Sequence, residues 1–182
     1  MGAIKIKKTV IQDIPRIVFE TKTIHVAEVL PIDIQDIVSL YNSNQDFIQH
    51  HMGTDHVTPE WVENEWESMK QSGFLSCKAV EKESGNIIGV IDFKVEEETY
   101  LSLLMIHGEA QNQGIGKQIY DAFEEYAKLA HSKSIRLDVV TKYSNNVVKF
   151  WSKRGFVKDR HIELNWSGVT LPAIVMKKVI TF

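Results

Sequence analysis

The sequence has 182 residues, of which 43% are hydrophobic and 9% aromatic, enough apolar material for one domain with a full core. The net charge is −3 and the lysines and arginines are scattered, which excludes proteins that need a strong basic field to bind nucleic acid or an anionic membrane. The single cysteine, Cys77, lies in an apolar run, so we expect a buried thiol, no internal disulfide and a cytoplasmic protein.

The first 22 residues differ in character from the rest of the chain. Residues 1–22 mix Ile, Val and Lys with one proline, which predicts an amino-terminal arm or a peripheral strand ahead of a main domain at 23–182. We expect no membrane span, because no apolar stretch approaches about 18 residues. We also expect no myristoylation, since Ile6 stands where that motif needs Ser or Thr.

The main domain opens with a strand and two helices. Residues 23–31 alternate as in a strand, and Asp33 is the predicted cap of the first helix. Residues 42–58 then break the helical period with polar residues, a glycine and three histidines, which predicts a functional or mobile connection. Thr58, Pro59 and Glu60 mark the start of a second helix that ends near Gly73.

The pattern then changes to the two-residue period of strands. Residues 74–82 and 87–95 flank the turn sequence ESGN and predict a hairpin, and a further strand covers 99–106. Apolar residues spaced by threes and fours from residue 115 predict a long helix. The short β-branched run SIRLDVV, residues 134–140, predicts a buried strand parallel to the one before that helix.

The last part of the chain predicts a short helix and a hairpin. The helix is expected in SNNVVKFWSKRGF, and the hairpin in HIELNW, SG and VTLPAIVMKKV. The element order βααβββαβαββ favours a single α/β domain with one mixed, mostly antiparallel sheet and helices on both faces. An edge strand in the closing hairpin is compatible with a homodimer.

Gly114 and Gly116 stand where a predicted strand runs into the long helix. The first amides of a helix lack intramolecular partners and lie at the positive end of its dipole, and glycine lets an anion approach them closely. Three or four such amides can hold a diphosphate without a strongly basic protein. A tight turn with close helix packing is the alternative interpretation of the two glycines.

Two common phosphate-binding motifs do not fit this segment. A P-loop needs four residues between its glycines and Ser or Thr after its lysine, but Gln118 follows Lys117. A dinucleotide-binding fingerprint needs a third glycine where Ile119 stands. It also needs a tight turn between strand and helix, and the stretch before Gly114 is too long for one. Asp138 does match this motif, in the place of its ribose-binding acid.

The remaining pattern, Gln111-x-x-Gly114-x-Gly116 directly after YLSLLMI, resembles the Q/R-x-x-G-x-G/A acyl-CoA pyrophosphate loop of the GNAT acetyltransferase family. LSLLMIHGEAQNQGIG and SNNVVKFWSKRGF are similar to that family's fourth strand with its loop and to the helix that follows, and the resemblance covers roughly residues 23–180. It implies the acyl-CoA N-acyltransferase fold, splayed between the fourth and fifth core strands. It also implies acetyl-CoA as co-substrate and acetyl transfer to an amine.

The resemblance further implies which residues meet the coenzyme. Backbone amides from Gln111 to Gly116 would hold the pyrophosphate and Gln111 would brace the loop, while the strand would open at a bulge around Leu104–Ile106 and pair with the pantetheine arm. The implied coenzyme-binding residues are Leu104, Met105, Ile106, Gln111, Asn112, Gln113, Gly114, Ile115, Gly116, Lys117, Ser144 and Asn145.

Direct attack by an amine on a thioester needs a group that removes the amine's proton. Glu98, which shares a strand face with Tyr100, is the predicted base, and a solvated acidic turn is the alternative interpretation of this region. Trp151 stands where the family often has the tyrosine that protonates the leaving thiolate, so Tyr143 is the predicted substitute. Alternatively, the thiolate leaves without a dedicated acid.

The connection at 42–58 is the predicted wall of an acceptor pocket, together with Trp61. Its predicted substrate-binding residues are Tyr41, Phe47, His50 and His51. A metal site that includes His56 and Asp55 is a weaker alternative, because adjacent histidines point in different directions and no cysteine joins them.

We therefore expect a small-molecule amine as the acceptor, with a peptide amine or a lysine as the alternative. A CoA-binding regulatory module that has lost turnover is the alternative function, motivated by Trp151 and by the weak evidence for a base.

Overall fold

The computed structural model describes residues 15–141, 145–166 and 168–181. In these residues one sheet contains eight strands in the order β1-β2-β3-β4-β5-β6-β8-β7, and every neighbouring pair is antiparallel except β5 and β6. The strands are β1 (Ile17–Glu20), β2 (Ile24–Glu28), β3 (Leu75–Glu81), β4 (Ile87–Lys94), β5 (Glu98–Ile106), β6 (Ser134–Val140), β7 (Val157–Trp166) and β8 (Val169–Val179). This confirms the predicted mixed, mostly antiparallel sheet.

Helices cover both faces of the sheet, as predicted. They are α1 (Ile34–Asn42), α2 (Gln45–Met52), α3 (Pro59–Gln71), α4 (Ile115–Leu129) and α5 (Asn145–Ser152). On the α4 face, Phe123 and Tyr120 pack against strand residues such as Phe93. On the α1–α3 face, Leu40 and Val62 pack against Val90 and other strand residues. Among the described helices, none combines the length and apolar character needed to cross a membrane.

The described part of the predicted amino-terminal arm contains a strand of the sheet. β1 pairs antiparallel with β2 at one edge. Phe19 of β1 contacts the rings of Phe93, Phe123 and Tyr126 at centroid distances of 5.5–6.3 Å. The rest of that arm, residues 1–14, lies outside the described residues.

The prediction of an irregular connection throughout 42–58 was wrong for the residues of α2. Ile48 and His51, three positions apart, are both buried and give this short helix an inward face that its polar composition obscures in the sequence. Gly53 ends the helix in the left-handed conformation, with φ of 67°.

Asp33 precedes α1, but its side chain does not cap that helix as predicted. One carboxylate oxygen accepts a hydrogen bond from the Leu30 amide at 2.8 Å, and the other lies 2.6 Å from the Lys78 ammonium. Both charged side chains are buried. This ion pair therefore ties the start of α1 to β3.

Lys78→Met should destabilise the protein by about 3–5 kcal/mol, because it leaves the Asp33 carboxylate buried without its cation. Urea unfolding at neutral pH measures this change. The double variant Asp33→Asn/Lys78→Met should recover part of the loss, because it removes both charges. Equal stabilities for the single and double variants would contradict this account of the pair.

Candidate active site

The parallel strands β5 and β6 separate from each other partway along their length. Glu98, Thr99 and Tyr100 pair with Ser134, Ile135 and Arg136. In the described remainders of the two strands, 101–106 and 137–140, no residue pairs across this boundary, although β5 pairs with β4 and β6 with β8. The facing edges therefore leave an open slot within the sheet.

A bulge lies at the closed end of this slot. Asp92 of β4 pairs with Leu103 and the next β4 residue, Phe93, pairs with Leu101, so Ser102 is the additional residue. Leu101 packs on the α4 face, whereas Leu103 packs on the α1–α3 face. The bulge allows both leucines to be buried on opposite faces although they are two positions apart.

The predicted position of the bulge, around Leu104–Ile106, was wrong. Leu104, Met105 and Ile106 pair in regular register with β4. Leu104 and Ile106 are half-buried against the α4 face, and Met105 is buried on the opposite face. The backbone edge of these residues still borders the slot.

The loop between β5 and α4 presents unpaired backbone donors. Among the described residues, no intramolecular hydrogen bond is formed by the amides of Asn112, Gln113, Gly114, Ile115, Gly116 and Lys117. Asn112 and Gly114 have φ of 61° and 80°, which turns the chain sharply into α4. The Gln111 amide differs from the prediction, because it donates a long hydrogen bond of 3.4 Å to the Gly108 carbonyl.

The side chain of Gln111 connects this loop to the α1–α2 junction and to the end of β5. Its amide nitrogen donates to the Asn44 side-chain oxygen at 2.7 Å and to the Ile106 carbonyl at 3.2 Å. The Gly108 amide donates to the Ser43 hydroxyl at 2.8 Å, and a Cβ at Gly108 would lie 2.6 Å from the Ser43 carbonyl oxygen. Ser43 and Asn44 were not predicted as site residues, because no sequence pattern pairs the α1–α2 junction with this loop.

The first turn of α4 lies against β5 and α5. A Cβ on Gly116 would lie 3.6 Å from the Ile106 side chain and 3.8 Å from the Phe150 ring. The Lys117 side chain is exposed and ion-paired with Asp121 one turn later. A ligand that reaches the unpaired amides therefore approaches the wall formed by Ile106 and Phe150.

Glu98 lies in the paired part of β5, two residues before the slot opens. Its carboxylate is 2.7 Å from the Lys177 ammonium and 3.5 Å from the Ser134 hydroxyl, and its side chain is 38% exposed. The predicted base is therefore accessible to solvent, but its carboxylate is paired with a lysine.

The remaining residues predicted near the coenzyme precede or begin α5 in the sequence. Tyr143 and Ser144 fall outside the described residues, and Asn145 begins α5 without a described side chain. Trp151 is buried in the core, where its ring meets Tyr120 and Phe156 edge to face. This tryptophan is thus a packing residue.

A polar cluster that the sequence analysis did not predict spans the last β5–β6 pair. The Tyr100 hydroxyl donates to Asp138 at 3.0 Å, and Arg136 donates two hydrogen bonds to the same carboxylate. Burial raises the pKa of Tyr100, so its hydroxyl remains a donor at neutral pH. Asp138, the acidic residue that mimics a ribose ligand in the sequence, is therefore the ion-pair partner of Arg136.

The structure brings together three of the four residues predicted for the acceptor. Tyr41 contacts Phe47 and Trp61, and His51 stacks on Phe47 at a centroid distance of 4.0 Å. Burial lowers the pKa of His51 to about 4, so this imidazole is neutral at pH 7. His50 instead bonds to the Asp46 carbonyl at 2.7 Å within α2.

The alternative metal interpretation finds no support in the geometry. In the described ranges, no three histidine, cysteine, aspartate or glutamate side chains lie close enough together to hold a metal ion. His56 instead hydrogen-bonds to the neighbouring Asp55 at 2.7 Å.

Comparisons with known proteins match most of this chain to one family. A family model described as an acetyltransferase (GNAT) domain matches residues 49–179. The uncharacterized protein YdhI of Bacillus subtilis (strain 168) is 31% identical over 114 residues, which are 60% of this chain and 69% of YdhI.

Solved structures share the fold at low sequence identity. A spermidine N-acetyltransferase, the SpeG chimera from Vibrio cholerae and hSSAT, superposes with a TM-score of 0.69 at 14% identity, covering 87% of this chain and 96% of the other. An acetyltransferase from Salmonella typhimurium that modifies the N-terminal serine of a 50S ribosomal subunit protein gives 0.70 at 13% identity, with coverages of 88% and 97%.

Proposed function

Because the chain belongs to the GNAT acetyltransferase family, we propose that it transfers the acetyl group of acetyl-CoA to a primary amine of a small molecule. The observation that carries this proposal is the run of six unpaired amides, Asn112–Lys117, at the start of α4. Each backbone donor to an ionised oxygen contributes about 1.5–3 kcal/mol, so several can anchor a diphosphate. A spermidine N-acetyltransferase among the structural neighbours supports a small acceptor.

The coenzyme is proposed to follow the slot from the loop to the bulge. Its pyrophosphate lies on the amides of Asn112–Lys117, and its pantetheine arm runs along the open edge of Leu104–Ile106. Ser144 and Asn145, which precede and begin α5 in the sequence, are the remaining proposed coenzyme-binding residues. The bulge at Ser102 interrupts the ladder with β4 where the thioester would reach, which makes backbone amides available to its carbonyl.

The acceptor must lose a proton before it attacks the thioester. An alkylamine with a pKa near 10.4 pays about 4.6 kcal/mol to become neutral at pH 7. Glu98 is the proposed acceptor of this proton, directly or through water, and it lies in the paired part of β5 beside the closed end of the slot. Tyr143 is the proposed acid for the departing thiolate, because Trp151 is buried and its indole cannot supply a proton.

Glu98→Gln should lower kcat/KM most strongly at low pH, where nearly all of the amine is protonated, and should leave the Kd for acetyl-CoA unchanged. Removal of a positioned base typically costs a factor of about 10²–10⁴. Steady-state rates across pH, with calorimetric Kd values, measure both effects. Glu97→Gln is the matched control, because Glu97 is an exposed neighbour paired with Lys133. A wild-type pH profile for Glu98→Gln would show that Glu98 is not the general base.

The proposed activity is tested by thiol release from acetyl-CoA in the presence of a panel of small amines, N-terminal peptides and lysine peptides. We expect release with small amines. Thermal stabilisation by acetyl-CoA without turnover on any acceptor would instead favour the CoA-binding module. The burial of Trp151 favours that second function, because the family's usual acid is absent from its place.

A further inference from the structure

A small cavity lies between α1, α3 and strands β3 and β4. Its volume is about 30 Å³. Its polar lining comes from Asp92, Glu65 and Ser76, and the rings of Tyr41, Trp61 and Trp66 form much of the remaining wall. Glu65 and both tryptophans are half-buried, so the α3 side of the cavity reaches the surface.

Asp92 is a buried carboxyl group without a cation. Its residue is only 9% exposed, and in the described parts of the chain no lysine, arginine or histidine forms an ion pair with it. The other buried acid, Asp33, is paired with Lys78, and Asp138 is paired with Arg136. A buried carboxylate without such compensation is costly, and this one lines a cavity.

The groups around the cavity favour a positive ligand. Burial raises the pKa of Asp92 to about 7 and also raises that of Glu65, while a hydrogen bond from Ser76 acts in the opposite direction on Asp92. A cation would relieve both desolvation costs. Aromatic faces attract ammonium groups, and the cavity volume of about 30 Å³ exceeds the roughly 10–15 Å³ that one water-sized group such as an ammonium needs.

The position of Asp92 relates the cavity to the proposed reaction. Asp92, which lines the cavity, pairs with Leu103, the residue that follows the bulge at Ser102, so the backbone of Asp92 lies about one strand spacing, or about 5 Å, from that residue. A linear chain of about three to five methylene groups spans one to two such spacings. The two nitrogens at the ends of such a chain would reach the cavity and the bulge.

We propose that this cavity binds a second, non-reacting ammonium group of the acceptor, with Asp92 as its counter-ion, and that the substrate class is therefore an aliphatic diamine. This inference rests on the proposed function. Glu65 supplies the second carboxylate, and Tyr41, Trp61 and Trp66 enclose the cation.

The test compares 1,4-diaminobutane with butylamine, which has the same chain and lacks the second ammonium group. Loss of one partner of a buried charge pair typically corresponds to a factor of 30 or more, so Asp92→Asn should reduce the ratio of kcat/KM for diamine over monoamine by about 30-fold or more. Asp92→Glu should restore part of the ratio. Glu67→Gln, on the exposed face of α3, removes the same charge and should leave the ratio unchanged.

Calorimetry of 1,4-diaminobutane binding separates this inference from the proposed function. If neither amine is acetylated but the diamine binds wild type and not Asp92→Asn, the activity proposal fails and the ammonium site stands. If both amines are acetylated with equal kcat/KM, or if Asp92→Asn keeps the wild-type ratio, the ammonium site is overturned and the activity stands. The absence of both turnover and diamine binding overturns both.

Discussion

Gly114→Val should weaken acetyl-CoA binding about 100-fold or more while the protein remains folded. Gly114 has φ of 80°, and a Cβ placed there meets no atom within 4 Å, so the substitution causes backbone strain without a clash. Relief of that strain, about 1–2 kcal/mol, turns the loop toward a negative φ and redirects its amides. The loss of two donors at about 1.5–3 kcal/mol each exceeds the 2.7 kcal/mol that a 100-fold change requires.

Gly85→Val is the matched control for this experiment. Gly85 has φ of 76° in the turn between β3 and β4, and its Cβ would also meet no atom within 4 Å. Both variants should therefore lose similar stability in urea unfolding, while only Gly114→Val loses affinity in isothermal titration with acetyl-CoA. Equal coenzyme affinities in the two variants would show that the loop between β5 and α4 does not hold the pyrophosphate.

Asp92→Asn should stabilise the free protein relative to wild type at pH 8 and not at pH 4. Burial raises the pKa of Asp92 from 3.8 to about 7. The folded state therefore binds a proton that the unfolded state releases, so wild-type stability is fully present below about pH 4 and falls as the pH rises toward 7. This pKa shift of about three units corresponds to a loss of about 4 kcal/mol of wild-type stability at high pH. The Asp92→Asn variant avoids this loss, because an asparagine does not titrate.

Urea unfolding of both proteins at pH 4, 6 and 8 measures this difference, because titrating groups that do not interact with Asp92 contribute equally to both. Glu67→Gln, exposed on α3, should show no comparable trend with pH. A constant stability difference between Asp92→Asn and wild type would mean that Asp92 ionises in the folded protein as easily as in the unfolded chain. Such a result would also weaken the argument for a cation in the adjacent cavity.

The sequence predicted the features that depend on local pattern. Strand alternation predicted β3, β4 and β5, and a short β-branched run predicted β6. The three-and-four spacing predicted α4, and the glycines predicted the loop before it. These signals arise from neighbouring residues, so they are visible without the fold. The left-handed conformation at Gly114 is of the same kind, because the turn itself requires it.

The features that sequence reasoning missed depend on contacts between distant segments. The α2 helix is short and polar, and its inward face is explained only by the surface it covers, which includes Trp166 against His51 and Phe47. The contact of Asn44 with Gln111 joins residues 67 positions apart. In the sequence, Asp92 is a polar residue that interrupts the apolar run IIGVIDFKV. Only the fold shows that α1 and α3 bury it beside Glu65 and Tyr41.

The additional residue in β5 can be removed without changing the face on which its neighbours lie. Adjacent residues of a strand project to opposite faces, so deletion of Ser102 would make Leu101 and Leu103 direct neighbours and leave each on the face where it packs now. Glu98 and Tyr100 would also keep their face, and Tyr100 its hydrogen bond to Asp138. The presence of Ser102 is therefore explained by the bulge that it forms and not by the packing of the strand.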